Sequence, residues 1–163
     1  MFFPPAPDKS HRALPQSRFG PLFAPKDVGS GAQPGPAGRD RILIVEDDFL
    51  VAAQMEAALT EAGFDVAGIA VTAEDAVKLG ASQHPTLVVM DIRLVGHRDG
   101  IDAAIELFEQ HGIRCLFATA HCDQEARRRA APAGPVGWLQ KPYTMASLIG
   151  MVRRALSDLH RSG

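Results

Sequence analysis

From Arg41 onward the chain alternates between two spacings of apolar residues. Arg41-Ile42-Leu43-Ile44-Val45 is an unbroken apolar run that ends in acids, the pattern of a strand buried on both faces. Val51, Met55, Ala58, Leu59 and Ala62 then recur at helical spacing, and Gly63 stands where a helix C-terminus is capped. Asp65 to Ala70 predicts a second, weaker strand. Thr72-Ala73-Glu74-Asp75 opens a helix in the manner of a capping box ahead of Ala76, Val77 and Leu79, and Pro85 stops it. Thr86 to Met90 is again strand-like and leads straight into Asp91, after which Ile101, Ala104, Ile105 and Phe108 share one face of a helix over 100–110. Cys115 to Ala118 predicts the fourth strand, an Ala/Arg-rich stretch a short helix over about 123–131, and Val136 to Gln140 the fifth strand. Thr144 caps a last helix that runs through Leu148, Val152, Leu156 and Leu159.

Five strand–helix units of this size imply an α/β doubly wound domain, a parallel sheet with helices on both faces, because parallel strands need a crossover connection. Residues 40–160 hold one such domain and leave no room for a second. Residues 161–163 are then a short C-terminal tail. The first 39 residues differ in character, holding eight of the 12 prolines and five of the 15 glycines, with five Lys/Arg against two Asp. They show neither period and read as a Pro/Gly-rich disordered N-terminal tail, mildly basic, on a body with 12 Lys/Arg against 17 Asp/Glu. No apolar run approaches the ~18–20 residues of a membrane span, and Met1-Phe2-Phe3 runs into prolines rather than a signal sequence. Cys115 and Cys122 are too few for a disulfide scaffold and have no metal-ligand spacing. A cytoplasmic protein with reduced thiols is expected.

In parallel α/β sheets ligands sit beyond the carboxyl ends of the strands. The residues there are Glu46-Asp47-Asp48 after the first strand, Asp91 after the third, Thr119 after the fourth and Lys141 after the fifth. Several carboxylates at one sheet edge repel and resist ionisation unless a cation joins them, which predicts a hard divalent metal, Mg²⁺ or in its place Mn²⁺. Acids, metal, a compact ammonium and a hydroxyl donor make a phosphoryl site. A carboxylate not consumed by the metal is the nucleophile, and Asp91, alone at the tip of the most apolar strand, is the natural choice.

The stretches Ile42-Leu43-Ile44-Val45-Glu46-Asp47-Asp48, Val88-Val89-Met90-Asp91-Ile92-Arg93-Leu94, Phe117-Ala118-Thr119-Ala120 and Gly137-Trp138-Leu139-Gln140-Lys141-Pro142, in that order, resemble the response-regulator receiver domain of two-component signalling. The resemblance runs from about Ile42 to Leu159. It implies the flavodoxin-like strand order 2-1-3-4-5 and a phosphoprotein that carries an aspartyl phosphate on Asp91. It makes Asp47 a direct Mg²⁺ ligand, Glu46 a ligand largely through water, and the backbone carbonyl of Arg93 the last protein ligand. Lys141 and Thr119 would bind the phosphoryl oxygens, Trp138 would stand at the switch aromatic, and a cis bond would join Lys141 to Pro142. Arg93 and His121 would border the phosphoryl group and tune its lifetime. A further, looser likeness is to stand-alone regulators linked to alphaproteobacterial sensor kinases, because the loop Leu94 to Gly100 lacks the usual Pro and carries an extra residue.

The implied function is that of a stand-alone response regulator, not an enzyme on another substrate. It takes a phosphoryl group from a sensor histidine kinase or a histidine phosphotransfer protein. With only Arg161-Ser162-Gly163 after the domain, no output domain is expected. Output would pass through residues 123–160 to a downstream protein or a second copy, with no nucleic acid or membrane involved. A phosphate sink, a relay carrier and a module read out without phosphorylation remain as alternatives. A phosphohydrolase with an aspartyl nucleophile lacks its general acid, since Arg93 stands two residues past Asp91. A flavodoxin-like cofactor binder would need a phosphate-cradling loop where Glu46-Asp47-Asp48 would repel the phosphate. Asp48 reads equally as a helix N-cap or a metal ligand, and Arg127-Arg128-Arg129 as a solvated helix face.

Overall fold

The computed structural model describes residues 38–120 and 122–162; the expected disorder over 1–37 and the role expected of His121 lie outside the described residues. Five strands, β1 (Arg41–Val45), β2 (Asp65–Ala70), β3 (Leu87–Met90), β4 (Cys115–Thr119) and β5 (Gly137–Gln140), alternate with α1 (Phe49–Glu61), α2 (Ala73–Gln83), α3 (Gly100–His111), α4 (Gln124–Ala130) and α5 (Met145–Ser162). All pairings are parallel and the order is β2-β1-β3-β4-β5.

The three central strands have side chains buried on both faces, and the two-residue period of a strand divides them. Leu43 and Val45, Val88 and Met90, and Cys115 and Phe117 face one core with α2, α3 and α4; Ile42 and Ile44, Leu87 and Val89, and Leu116 and Ala118 face the other with α1 and α5. Apolar runs with no polar interruption are therefore what this sheet requires. Parallel strands also place every carboxyl end at one edge, so Glu46, Asp91, Thr119 and Lys141 meet there.

Local signals set the helix ends. Asp48 caps α1, its Oδ1 accepting the N–H of Leu50 at 2.9 Å and of Val51 at 3.2 Å. Thr72 Oγ1 accepts from Asp75 N at 3.1 Å, but only this half of the expected capping box is formed; the complete box is on α3, between Asp99 and Asp102. α2 ends on His84 in the left-handed region (φ 47°) before Pro85, and Thr144 Oγ1 accepts from Ser147 N at 3.1 Å at the start of α5. Several boundaries differ from expectation: β3 starts at Leu87 rather than Thr86, β4 runs on to Thr119 and α3 to His111, and three further differences have local causes or consequences. α4 stops at Ala130 and tightens into a 3₁₀ turn over Ala131–Ala133, where Pro132 supplies no N–H; β5 starts at Gly137 rather than Val136; and α5 continues through Arg161 to Ser162 instead of leaving them in a tail. No helix among the described residues is long and apolar enough to cross a membrane.

Candidate functional site

Glu46 is held through both its backbone and its side chain. Its N–H donates to Ala70 O at 3.0 Å, and the carboxylate, 3% exposed, accepts from Asp48 N at 3.3 Å through Oε1 and from Lys141 Nζ at 2.6 Å through Oε2. Asp91 is fixed in the same way: its N–H donates to Val45 O at 2.9 Å, Oδ1 accepts from Arg93 N at 3.2 Å, and Oδ2 accepts from Lys141 Nζ at 2.6 Å. Lys141 is anchored to β4 by its own N–H, which donates to Thr119 O at 3.0 Å, and the bond to Pro142 is cis, as the resemblance implied. One ammonium thus bridges carboxylates from two strands.

Electrostatics follow from burial. Loss of water pushes the Glu46 carboxyl above its ordinary range, even against the Lys141 ammonium beside it. For Lys141 burial pulls the pKa down, but the hydrogen bonds and charges of Asp91 and Glu46 outweigh it and the pKa ends raised. Lys141 stays charged at any physiological pH.

Asp47 completes the acidic group from the solvent side. Carboxylate oxygens of Glu46, Asp47 and Asp91 lie within 4.8 Å of one another, with Asp47 exposed and the other two buried. Three carboxylates facing a single ammonium leave a net negative pocket of hard oxygen donors, a set that fits Mg²⁺ or Mn²⁺. Asp48 is not among these three and serves α1 as its N-cap. Arg93 is exposed, its backbone bound to Asp91. Thr119 is 1% exposed at the end of β4. Trp138, half-buried on β5, stacks on Phe117 with ring centroids 4.6 Å apart and 21° between planes.

Some contributors escape sequence reasoning. Gly100 starts α3 so close to the site strand that a Cβ there would lie 1.9 Å from Asp91 O. Its N–H donates to Ile92 O at 2.8 Å, which closes the loop after Asp91. The only written signal is a Gly directly after a capping Asp. The three arginines of α4 are exposed, as the expected solvated face requires, but they also make contacts: Arg129 Nη2 bonds Asp99 Oδ2 at 2.8 Å and the Arg127 guanidinium lies over Trp138. Beside Lys141 a cleft of about 400 Å³ is lined by Val51, Gln54, Ala120, Pro142, Tyr143 and Met145; Phe49 and Leu50, which precede Val51 in α1, are 78% and 71% exposed.

Residues 42–153 match the family model of the response regulator receiver domain. Over 117 residues the chain is 34% identical to the transcriptional regulatory protein PdtaR of Mycobacterium tuberculosis, covering 72% of this chain and 57% of that protein. It is 29% identical over 118 residues to the chemotaxis protein CheY of Halobacterium salinarum, covering 72% of this chain and 97% of that one. The signal receiver domain of a modulated diguanylate cyclase from Desulfovibrio desulfuricans superposes with a TM-score of 0.71 at 30% identity, covering 77% of this chain and 100% of that chain. An α/β fold of order 2-1-3-4-5 is thus shared with signal receiver domains. The chain belongs to the response regulator receiver family of two-component signalling. It spans about half the length of curated relatives such as PdtaR, at 57%, and the phyllosphere-induced regulator PhyR of Methylorubrum extorquens, at 43%.

Proposed function

We propose that this protein accepts a phosphoryl group from the phosphohistidine of a sensor kinase or phosphotransfer protein onto Asp91 and signals through contact with another protein. The observation that carries this reading is the Lys141 ammonium 2.6 Å from both Glu46 and Asp91, with Asp47 beside them at the open end of the sheet. A carboxylate oxygen of Asp91 attacks phosphorus, an O–P bond forms, the P–N bond of the donor breaks, and the imidazole leaves with its electron pair. Lys141 is placed to follow the charge that builds on the phosphoryl oxygens, and Thr119 to donate its hydroxyl to them. Glu46, Asp47, Asp91 and the Arg93 carbonyl would hold Mg²⁺, or Mn²⁺, which when bound neutralises the phosphoryl oxygens. The exposed Phe49 and Leu50 and the apolar cleft beside Lys141 offer a protein donor a surface next to the nucleophile. Arg93, exposed two residues past Asp91, and His121, two past Thr119, are assigned to tuning how long the acyl phosphate lasts.

Phosphorylation replaces about one negative charge by two and adds strong acceptors, so Thr119 and Lys141 gain an interaction that exists only in the phosphorylated state. Output runs through residues 123–160, to a downstream partner or a second copy. Intact mass after incubation with Mg²⁺ and acetyl phosphate tests the reading. One added phosphoryl group, abolished by chelation and by Asp91→Ala, is the expected result; no adduct, or an adduct that survives Asp91→Ala, contradicts it.

A further inference from the structure

The three consecutive arginines of α4 are spent differently. Arg128 Nη2 lies 2.5 Å from Glu125 Oε2, and Arg129 Nη2 lies 2.8 Å from Asp99 Oδ2. Arg127 has no carboxylate partner among the described residues. Its guanidinium carbon sits 4.9 Å from the centroid of the Trp138 ring, and its Nη2 donates to Cys122 Sγ at 2.9 Å. The same indole stacks on Phe117, a side chain with no exposed surface. An immobile core ring and a guanidinium delivered by α4 therefore clasp one tryptophan, in the cation–π arrangement that suits Arg better than Lys.

Each part of the clasp sits on a segment that ends in the phosphoryl site. Phe117 is two residues before Thr119 on β4, Trp138 is three before Lys141, and Cys122 lies in the loop between Thr119 and Asp123, the N-cap of α4. We propose that Arg127 is a positioning residue that latches α4 onto Trp138, and that phosphoryl transfer to Asp91 opens the latch. The opening rests on the reading of Asp91 as phosphoacceptor; the latch itself does not. A phosphoryl group at Asp91 draws the Thr119 hydroxyl and the Lys141 ammonium toward its oxygens. The loop that follows Thr119 moves with it and takes Cys122 away from the guanidinium. A cation–π contact at an exposed site biases a two-state equilibrium by about two- to fivefold, so its loss shifts the population of α4 toward the open state.

Trp138 is the only tryptophan in the chain, so its fluorescence reports the clasp without a label. The experiment is acrylamide quenching of the full chain, with folding checked by circular dichroism, for the parent, Arg127→Ala, Arg127→Lys and Arg128→Ala. The quenching constant should rise at least about twofold in Arg127→Ala, rise less in Arg127→Lys, and stay at the parent value in Arg128→Ala. Acetyl phosphate with Mg²⁺ should move the parent toward the Arg127→Ala value while leaving that variant where it is, with intact mass on the same samples showing who carries the phosphoryl group. Equal quenching of parent and both Arg127 variants overturns the latch. A phosphorylated parent with unchanged quenching overturns its opening. Absence of any adduct overturns the phosphoacceptor reading and the opening together, while the unphosphorylated variants still decide the latch.

Discussion

Lys141→Met in metal-free buffer isolates what the bridging ammonium does for the fold. Met keeps most of the side-chain volume, so the change is the loss of one charge and two hydrogen bonds of 2.6 Å, to Glu46 and to Asp91. Glu46 and Asp91 side chains are 3% and 9% exposed, so water cannot replace the missing donor fully. Breaking a buried ion pair from one side costs about 3–5 kcal/mol. Lys141 is itself 24% exposed and recovers hydration in the unfolded chain, which brings the expected loss to about 2–4 kcal/mol. For a domain of this size that is a fall in the thermal midpoint of roughly 8–16 °C.

The pH dependence has a definite sign. Burial raises the Glu46 carboxyl above its ordinary range, so between the unfolded and folded pKa values the native state holds more protons than the unfolded chain, and stability falls as pH rises through that window. Without Lys141 that window widens upward. Thermal unfolding in EDTA at pH 7.5 and pH 5 therefore shows a larger deficit for the variant at pH 7.5, and added Mg²⁺ restores part of it. A variant as stable as the parent at pH 7.5, or one whose deficit grows on acidification, would refute the reasoning.

Three other outcomes are expected. Gly100→Ala drives a Cβ to within 1.9 Å of Asp91 O, so urea unfolding should show a loss of more than about 2 kcal/mol; a shift below about 0.5 kcal/mol would mean that α3 retreats freely from the site. Asp99→Ala removes the α3 N-cap, whose Oδ1 accepts from Ile101 N at 3.0 Å and Asp102 N at 3.1 Å, and should cost about 1–2 kcal/mol, whereas Arg129→Ala, which cuts only the surface ion pairs to Asp99 and Asp102, should cost under about 1 kcal/mol; the reverse ranking by urea unfolding speaks against the cap. Burial pushes the Cys115 thiol up to about 12, so iodoacetamide at pH 8 should label the folded protein once, at Cys122, and the unfolded chain twice by intact mass.

The sheet was legible because its central strands are buried on both faces, which leaves runs such as Ile42 to Val45 and Leu87 to Met90 without a polar residue. Their carboxyl ends can be read off the same runs, which places Glu46, Asp91, Thr119 and Lys141 at one sheet edge from the sequence alone. Strand order was not in the hydrophobic pattern. Crossovers of similar length are compatible with several orders, and 2-1-3-4-5 came with the resemblance. The remainder depends on distances that no spacing encodes. Nothing adjacent in sequence tells that Gly100 packs against the backbone of Asp91, that Arg129 reaches Asp99 thirty positions away, or that Arg127 lies over Trp138. The capping box expected at Thr72 fell to Asp99 and Asp102 instead, since a suitable pair of residues becomes a box only when both side chains turn back onto the backbone.

Chemical trapping of the acyl phosphate tests the central claim most directly. After reaction with acetyl phosphate and Mg²⁺, borohydride reduces an aspartyl phosphate to homoserine, and peptide mass mapping then reports the position. The account predicts homoserine at residue 91 and at no other acid, with yield lost in Asp91→Ala and strongly reduced in Lys141→Met. Homoserine at Asp47 or Asp48, hydroxynorvaline at Glu46 as the reduction product of a glutamyl phosphate, or a phosphoryl group resistant to borohydride, would contradict it.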